Sequence, residues 1–304
     1  MKLYILSKTK KTIWDPNESP LPSYLTFTTN PANADIFVAD TEFSLTSAIE
    51  SCITYNRRQP KACILWTNEP YYSTHKEKKI TIYGIPTYVF NIWNQNVLFT
   101  NGTHLFQNIP KLPMRPLHRD RFRCEEKPIK MCAIMTYPTK PSTDQAYRTN
   151  FAIHAQIKGI CDIYGRGWPN NLSKEDSSQG EWWKSKPGIL SQYDYTLAFE
   201  NCIQPYYVTE KLWDPIFTMT LPIYKDNRTI YQTFPRDSFI DVDDYSTKEK
   251  LYQKIQSMSV TEWTYRMDGC YAALEQAWKV NKGSYEPFWT QATREVLNCL
   301  EKIK

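Results

Sequence analysis

Thirteen residues, Phe199 to Lys211 (FENCIQPYYVTEK), gather two glutamates, an asparagine, two adjacent tyrosines and a lysine into one short span. Thr209 is a natural N-cap and Glu210 falls in the first turn behind it, so the span reads as a loop feeding a helix start. The unpaired N–H groups and the dipole of such a start favour an anion, and Lys211 adds a full positive charge beside them. A phosphate or diphosphate is the guest that fits. Glu200, Asn201 and Glu210 offer acceptors for hydroxyls around it, and hydroxyls together with phosphates point to a nucleotide sugar. The same pattern also fits a capped helix with a surface Lys and Glu, and residue types alone leave both readings open.

Two other polar spots could do chemistry. The tail Thr67–Pro70 (TNEP) follows the apolar run ACILW, and parallel strands carry functional groups at their carboxyl ends. Glu69 in that tail reads equally as a solvated carboxylate. Asp241 and Asp243 form a D-x-D pair, the device by which metal-dependent GT-A glycosyltransferases hold Mn²⁺ and a nucleotide diphosphate. Any acid-rich turn produces the same triplet.

The elements that would position these groups alternate along the chain. In the first third, KLYILS, ADIFVAD and KACILWTNEP read as strands and SLTSAIESCITYNR as a helix, a βαβ pattern. The proline- and charge-rich stretch from Gln107 to Lys130 reads as an interdomain connection. A second alternating unit follows: strand KMCAIMTYP, helix DQAYRTNFAIHAQIKGI, strands CDIYGRG and YDYTLAFEN, a helix near EKLWDPIFTM, and strands LPIYK and SFIDVDD. Pro215 falls six residues after Thr209, where proline no longer fits a helix freely, so a kink or a new start capped by Asp214 is expected. From Ser246 onward the chain reads as helical.

At 304 residues and 41% hydrophobic, the length favours two domains. Lys and Arg exceed Asp and Glu by 37 to 32 with no compact basic tract, which argues against nucleic acid as a partner. The 21 Tyr and 10 Trp serve core packing by default and also suit the apolar faces of sugars and bases. With 9 Gly in all, a glycine-rich phosphate cradle is not expected. The 8 Cys are scattered without a C-x-x-C pair and read as reduced thiols, and no metal site is expected. Only five residues separate Lys2 from the next charge, too few for a signal-peptide core, and no apolar run approaches the ~18 residues of a membrane span. A soluble, cytoplasmic chain is therefore expected. Sequons at Asn17, Asn101, Asn171 and Asn227 then read as chance occurrences.

The block FENCIQPYYVTEKLW, followed by LPIY and FPRDSFIDVDDY, resembles the signature of the alpha-1,3-fucosyltransferases of glycosyltransferase family 10: F-E-N-S, Y-[VI]-T-E-K-[LI], V-P-[VI], then [SA]-F-I-x-V-x-D-F. CDIYGRG is similar to the family's VDVFGRG and YDYTLAFEN to its YKFYLAFEN. In the first third, LWTNEPYYS resembles its W-x-x-x-E-S-P segment and FNIW its FNWT. These blocks run from about Leu65 to Tyr245.

The resemblance implies an α/β fold of GT-B type, with two Rossmann-like domains facing across a cleft. Residues 1–125 would bind the acceptor, 126–280 would hold GDP-fucose, and a helix at 281–304 would pack back on the first domain. It implies an inverting transfer of L-fucose from GDP-β-L-fucose to an acceptor sugar hydroxyl, α-1,3 being the family linkage, with no divalent metal required. Glu69 matches the family's base. Arg166 and Lys211 match its diphosphate-binding cations, and Arg148 resembles a further family arginine that otherwise reads as a solvated charge on its helix. Asn201, Tyr207 and Glu210 fall on donor-contacting positions, Tyr206 less clearly. Glu200 would bind the ribose or order the loop. Tyr71, Tyr72 and Trp93 are available to stack on acceptor sugar faces, or serve as ordinary packing. With no membrane span expected, the chain is more similar to bacterial or viral members. Oligomeric state and acceptor are not readable.

Cys202 replaces the family serine, and Asp194 stands where the family has lysine, removing a positive charge expected near the site. These departures keep a non-catalytic GDP-sugar-binding protein open beside the enzyme, and the D-x-D pair keeps a GT-A enzyme open.

Overall fold

The structure, a computed structural model, describes residues 1–6, 22–55, 57–67, 78–91, 131–169, 172–174, 182–225, 228–281 and 286–303. The chain divides into two compact units, Met1–Gln95 with Tyr285–Lys304, and Asn96–Ser284. Each is built on its own mainly parallel sheet, so the α/β class expected from the alternation is the class observed. The Gln107–Lys130 stretch and the four sequon asparagines lie outside the described residues.

In the first unit the strands are β1 (Lys2–Leu6), β2 (Thr26–Phe27), β3 (Ile36–Ala39), β4 (Ala62–Thr67), β5 (Lys78–Ile82) and β6 (Ile85–Asn91), in the order β2-β1-β3-β4-β6-β5. All pairs are parallel except β5 with β6. Successive strand residues point to opposite faces, and both faces are apolar. Ile36, Val38, Ile64 and Trp66 pack with Val296 and Leu300 of helix α7 (Glu286–Ile303). Phe37, Cys63 and Leu65 pack with Leu45, Ile49 and Cys52 of α1 (Glu42–Thr54).

The β5–β6 hairpin was not among the expected strands. Its two-residue turn, Tyr83–Gly84, has φ of 47° and 79°, the positive pair that matches strand twist in a tight hairpin.

In the second unit β7 (Met131–Ile134), β8 (Cys161–Tyr164), β9 (Tyr195–Leu197), β10 (Leu221–Tyr224) and β11 (Ile240–Asp241) are all parallel, in the order β11-β10-β9-β7-β8. Helix α2 (Thr143–Ile157) starts in a capping box between Ser142 and Gln145 and buries Phe151, Ala152 and Ala155 in the main core. That core also takes Leu212, Trp213 and Ile216 of α4 (Glu210–Phe217) and Trp263, Met267 and Leu274 of α6 (Val260–Asn281). Cys132, turned the other way on β7, packs with Ile189 and Leu190 of α3 (Trp182–Leu190), a helix the apolar pattern did not announce. Helix α5 (Lys248–Ser257) completes the unit.

Two expectations are corrected. Helix α4 runs through Pro215 without a new start. Proline there removes a single intrahelical donor one turn before the helix end, and its own carbonyl accepts from Thr218 N and from Thr220 N at 2.8 Å, closing the terminus. Asp214 is not the N-cap, which is Thr209, and its carboxylate takes Lys186. SFIDVDD is a strand only over Ile240–Asp241, after which Val242–Asp244 turn into a 3₁₀ helix.

Candidate functional site

In the second sheet the chain order reverses between β7 and β9: β8 lies on one side of β7, and β9, β10 and β11 follow on the other. Loops leaving the carboxyl ends of strands diverge at such a point and leave a crevice. A cavity of about 490 Å³ occurs there, within this one unit. Ile134, Met135, Thr136 and Pro138 line it from β7 and its exit, Gly165 and Arg166 from the exit of β8, and Asn201 from the exit of β9. Gln145 and Arg148 come from α2, Lys186 from α3, and Glu210 and Lys211 from the start of α4.

The start of α4 is built from the inside outward. Thr209 caps it, its hydroxyl accepting from Lys211 N at 3.3 Å. That same hydroxyl donates to Glu200 Oε2 at 2.7 Å, and Thr209 N donates to Glu200 Oε1 at 2.8 Å. Both oxygens of Glu200 are thereby engaged beneath the loop, with only 4% of the residue exposed, and it does not line the cavity. Lys211 Nζ then lies 3.2 Å from Glu210 Oε1 and 3.3 Å from Glu200 Oε2. Burial pushes the Glu200 carboxyl above its ordinary value against the pull of Lys211. At Glu210 burial also acts upward, but Lys211 and Lys186 outweigh it and hold the group ionised. Burial disfavours the Lys211 ammonium, yet Glu210 and Glu200 keep it firmly protonated.

Arg166 and Arg148 reach the cavity by different means. The exit of β8 runs tightly beside the exit of β7: Met135 N donates to Tyr164 O and Tyr137 N to Arg166 O, each at 3.0 Å. That closeness requires the flanking glycines. Gly165 has φ of 120°, and a Cβ there would stand 2.3 Å from Met135 O; at Gly167, φ 79°, it would stand 3.1 Å from Tyr137 O. Arg166 is exposed at the loop tip and lines the cavity. Arg148, read from sequence as a solvated charge unless the family role applied, is 5% exposed. It sits in register with Phe151, Ala152 and Ala155, the buried stripe of α2. One guanidinium nitrogen donates to Asn201 Oδ1 at 2.5 Å, and burial lowers its pKa. Its Nε is buried without a hydrogen-bond partner among the described residues.

Gly165→Ala is expected to cost about 1–3 kcal/mol or more through the forced φ and the carbonyl clash, and to remove ligand binding by displacing Arg166. Gly188→Ala, in α3 with nothing within 4 Å of its added Cβ, is expected to be neutral or stabilising by up to ~1 kcal/mol. Thermal unfolding of the two variants checks the contrast.

The structure thus brings Arg148, Arg166, Asn201, Glu210 and Lys211 to one cavity and sets Glu200 directly behind it. Tyr207 is 3% exposed and is not part of the cavity lining, although its proximity bears on Arg148. Tyr206 takes φ 63°, its N donating to Thr229 Oγ1 at 2.9 Å. Glu69, Tyr71, Tyr72 and Trp93 lie outside the described residues. Asp194 is at the amino end of β9, opposite the cavity, so the loss of a lysine there does not remove charge from this site. Cys202 Sγ accepts from Gln204 Nε2 at 3.5 Å and is not part of the lining.

The D-x-D acids are committed to donors of their own chain. Asp241 accepts from Asp243 N at 2.9 Å and from the Tyr231 hydroxyl, Asp243 pairs with Lys225, and Asp244 pairs with Arg236. Among the described residues, no group of three or more His, Cys, Asp or Glu side chains is arranged to hold a metal ion.

Lys186 was not anticipated. Its Nζ pairs with Asp214 Oδ2 at 2.7 Å, both side chains 8% exposed, and it lines the cavity beside Lys211. Fixed cations at a helix start, with hydroxyl acceptors beside them, suit a ligand carrying phosphoryl groups and a polyol.

A profile described as glycosyltransferase family 10 (fucosyltransferase) C-term matches residues 126–297. A GDP-fucose protein O-fucosyltransferase 3 of Gallus gallus is 30% identical over 159 residues, covering 51% of this chain and 31% of its own. A 4-galactosyl-N-acetylglucosaminide 3-alpha-L-fucosyltransferase of Pongo pygmaeus is 36% identical over 110 residues, 35% of this chain and 27% of its own. The chain thus matches about a third or less of the length of these curated relatives. A crystal structure of an alpha1,3-fucosyltransferase aligns at TM-score 0.49 and 16% identity, over 88% of this chain and 80% of that one. No helix among the described residues is long and apolar enough to cross a membrane.

Proposed function

The chain belongs to glycosyltransferase family 10, and from that premise we propose that it transfers L-fucose from GDP-β-L-fucose to a hydroxyl of an acceptor sugar, inverting the anomeric centre to give an α-linkage, α-1,3 by the relatives' example. The observation that carries the reading is the convergence of Arg148, Arg166, Lys186 and Lys211 on one cavity at the carboxyl edge of β7 and β9, inside the segment that matches the family. In this reading the second unit holds the donor, and the first supplies the acceptor contacts, with Tyr71, Tyr72 and Trp93 among them.

The reaction forms a bond from the acceptor oxygen to the fucose anomeric carbon as the bond from that carbon to the β-phosphate oxygen breaks. GDP leaves with the electron pair. Glu69 takes the acceptor's proton, as direct displacement requires a base on the face opposite the leaving group. Negative charge grows on the diphosphate as the bond opens, so Arg166 and Lys211 stabilise the transition state more than the ground state. Glu210, held ionised by its lysines, opposes positive charge developing on the sugar ring. Asn201 is fixed by Arg148 and offers its amide to the donor, with Tyr207 and Glu200 shaping the pocket from behind. Fixed cations do the work that a divalent metal does elsewhere.

Incubation with GDP-fucose and an array of acceptor sugars, with linkage analysis of the product, tests this. Acceptor-dependent GDP release that persists in EDTA is expected. GDP binding without turnover would instead make the chain a binding protein, and turnover abolished by EDTA and restored by Mn²⁺ would overturn the metal-independent mechanism.

A further inference from the structure

Lys186 carries an inference that rests on the donor-site reading above. A buried ion pair is no gain in stability over a well-packed apolar pair of similar size, so folding alone does not account for Lys186 and Asp214 at 8% side-chain exposure. The pair is oriented. Lys186 lines the cavity beside Lys211, and both lysines also border a small second cavity lined by Leu197, Phe199 and Pro215. Asp214 lines neither. Asp214 and Glu210 are four residues apart on α4 and so share one face, and Lys186, arriving from α3, meets that face with its charge.

The charge count gives the orientation a consequence. Among the described residues at and directly behind the cavity, Arg148, Arg166, Lys186 and Lys211 stand against Glu200, Glu210 and Asp214, four positive to three negative. Without Lys186 the two sides balance. We propose that Lys186 is a further diphosphate-directed cation of the donor site, its ammonium fixed at the cavity wall by Asp214 so that the site prefers a nucleoside diphosphate to a monophosphate. A lysine acts on phosphate as a point charge, and an ammonium already ordered by its carboxylate loses little freedom when the ligand arrives.

Calorimetric titration of GDP and GMP into wild type, Lys186→Gln/Asp214→Asn and Asp214→Asn tests this. The double variant replaces the ion pair with an amide pair and leaves net charge unchanged. It is expected to weaken GDP binding about tenfold or more with a smaller change for GMP, collapsing the preference for the diphosphate. Asp214→Asn alone keeps an acceptor for Lys186 but removes the opposing charge, and is expected to tighten GDP severalfold. A folded double variant with an unchanged GDP-to-GMP ratio overturns the proposal, as does a folded Asp214→Asn variant that binds GDP no better than wild type. If the double variant does not fold, the direction of the Asp214→Asn effect decides. A wild-type chain that binds neither GDP nor GDP-fucose overturns the donor-site reading itself, a result distinct from the others.

Discussion

Lys211→Met is expected to lower fucosyl transfer by about 10²–10³-fold, the loss measured when one preorganised group is removed from a developing charge. The same substitution is expected to destabilise the fold, because Lys211 is the cation 3.3 Å from a Glu200 that is 4% exposed. Breaking a buried pair from one side costs about 3–5 kcal/mol when the remaining charge stays buried. Here part of that cost is avoided by protonation, since burial already holds the Glu200 carboxyl above its ordinary value.

The sign of the pH dependence follows. A group whose folded pKa is raised contributes stability that is present below its unfolded value and is lost as pH rises through the folded one. Without Lys211 the Glu200 pKa rises further, so the stability deficit of Lys211→Met is expected to be small near about pH 5 and large near about pH 8. Chemical denaturation at the two pH values checks it. Lys211→Met/Glu200→Gln separates the two roles: it is expected to recover most of the stability at about pH 8 while transfer stays at the level of the single variant. Recovery of both would make Lys211 a structural partner of Glu200 and remove it from the donor-binding set.

What the sequence made legible here was local. Thr209 followed by Glu210 and Lys211 is a complete helix-start signal within three residues, and the cap at Thr209 is where α4 begins. The short apolar runs located eight of the eleven strands among the described residues, because fully buried parallel strands are continuously hydrophobic whatever surrounds them. The β5–β6 hairpin escaped although KKITIYGIPTY alternates and carries glycine at the turn; Tyr-Gly is a weaker turn signal than Asn-Gly, and Pro86 counts against a strand.

Arg148 was half legible. Spacing places it on the stripe of Phe151, Ala152 and Ala155, yet a lone arginine on an apolar stripe reads as easily as a charge at its edge. Lys186 was illegible for a different reason. WWKSKPGIL has a proline inside its helix and no clear stripe, and the lysine acquires a role only when α3 docks beside Asp214, 28 residues later in the chain. Tertiary charge pairs leave no periodic trace. The site is therefore most readable where a single loop builds it and least readable where two helices meet.

Glu69→Gln carries the other large expected effect and tests the chemistry from the opposite side. Glu69 comes two residues after Thr67, the last residue of β4, and β4 is interior to its sheet between β3 and β6. Glutamine keeps the size and hydrogen-bonding shape but cannot accept the acceptor's proton, so transfer is expected to fall by about 10²–10⁴-fold. GDP affinity is expected to stay within about twofold, because the cations proposed to bind the diphosphate belong to the second unit. The base must be ionised to act, so wild-type kcat/KM is expected to fall as pH drops through the carboxyl's pKa, and that acid limb is expected to vanish from the residual activity of the variant. Loss of transfer together with loss of GDP binding would mark Glu69 as a structural residue. An acid limb that survives in Glu69→Gln would assign the proton transfer to another carboxylate, for which Glu210, which lines the cavity, is the candidate and Glu210→Gln the next variant to measure.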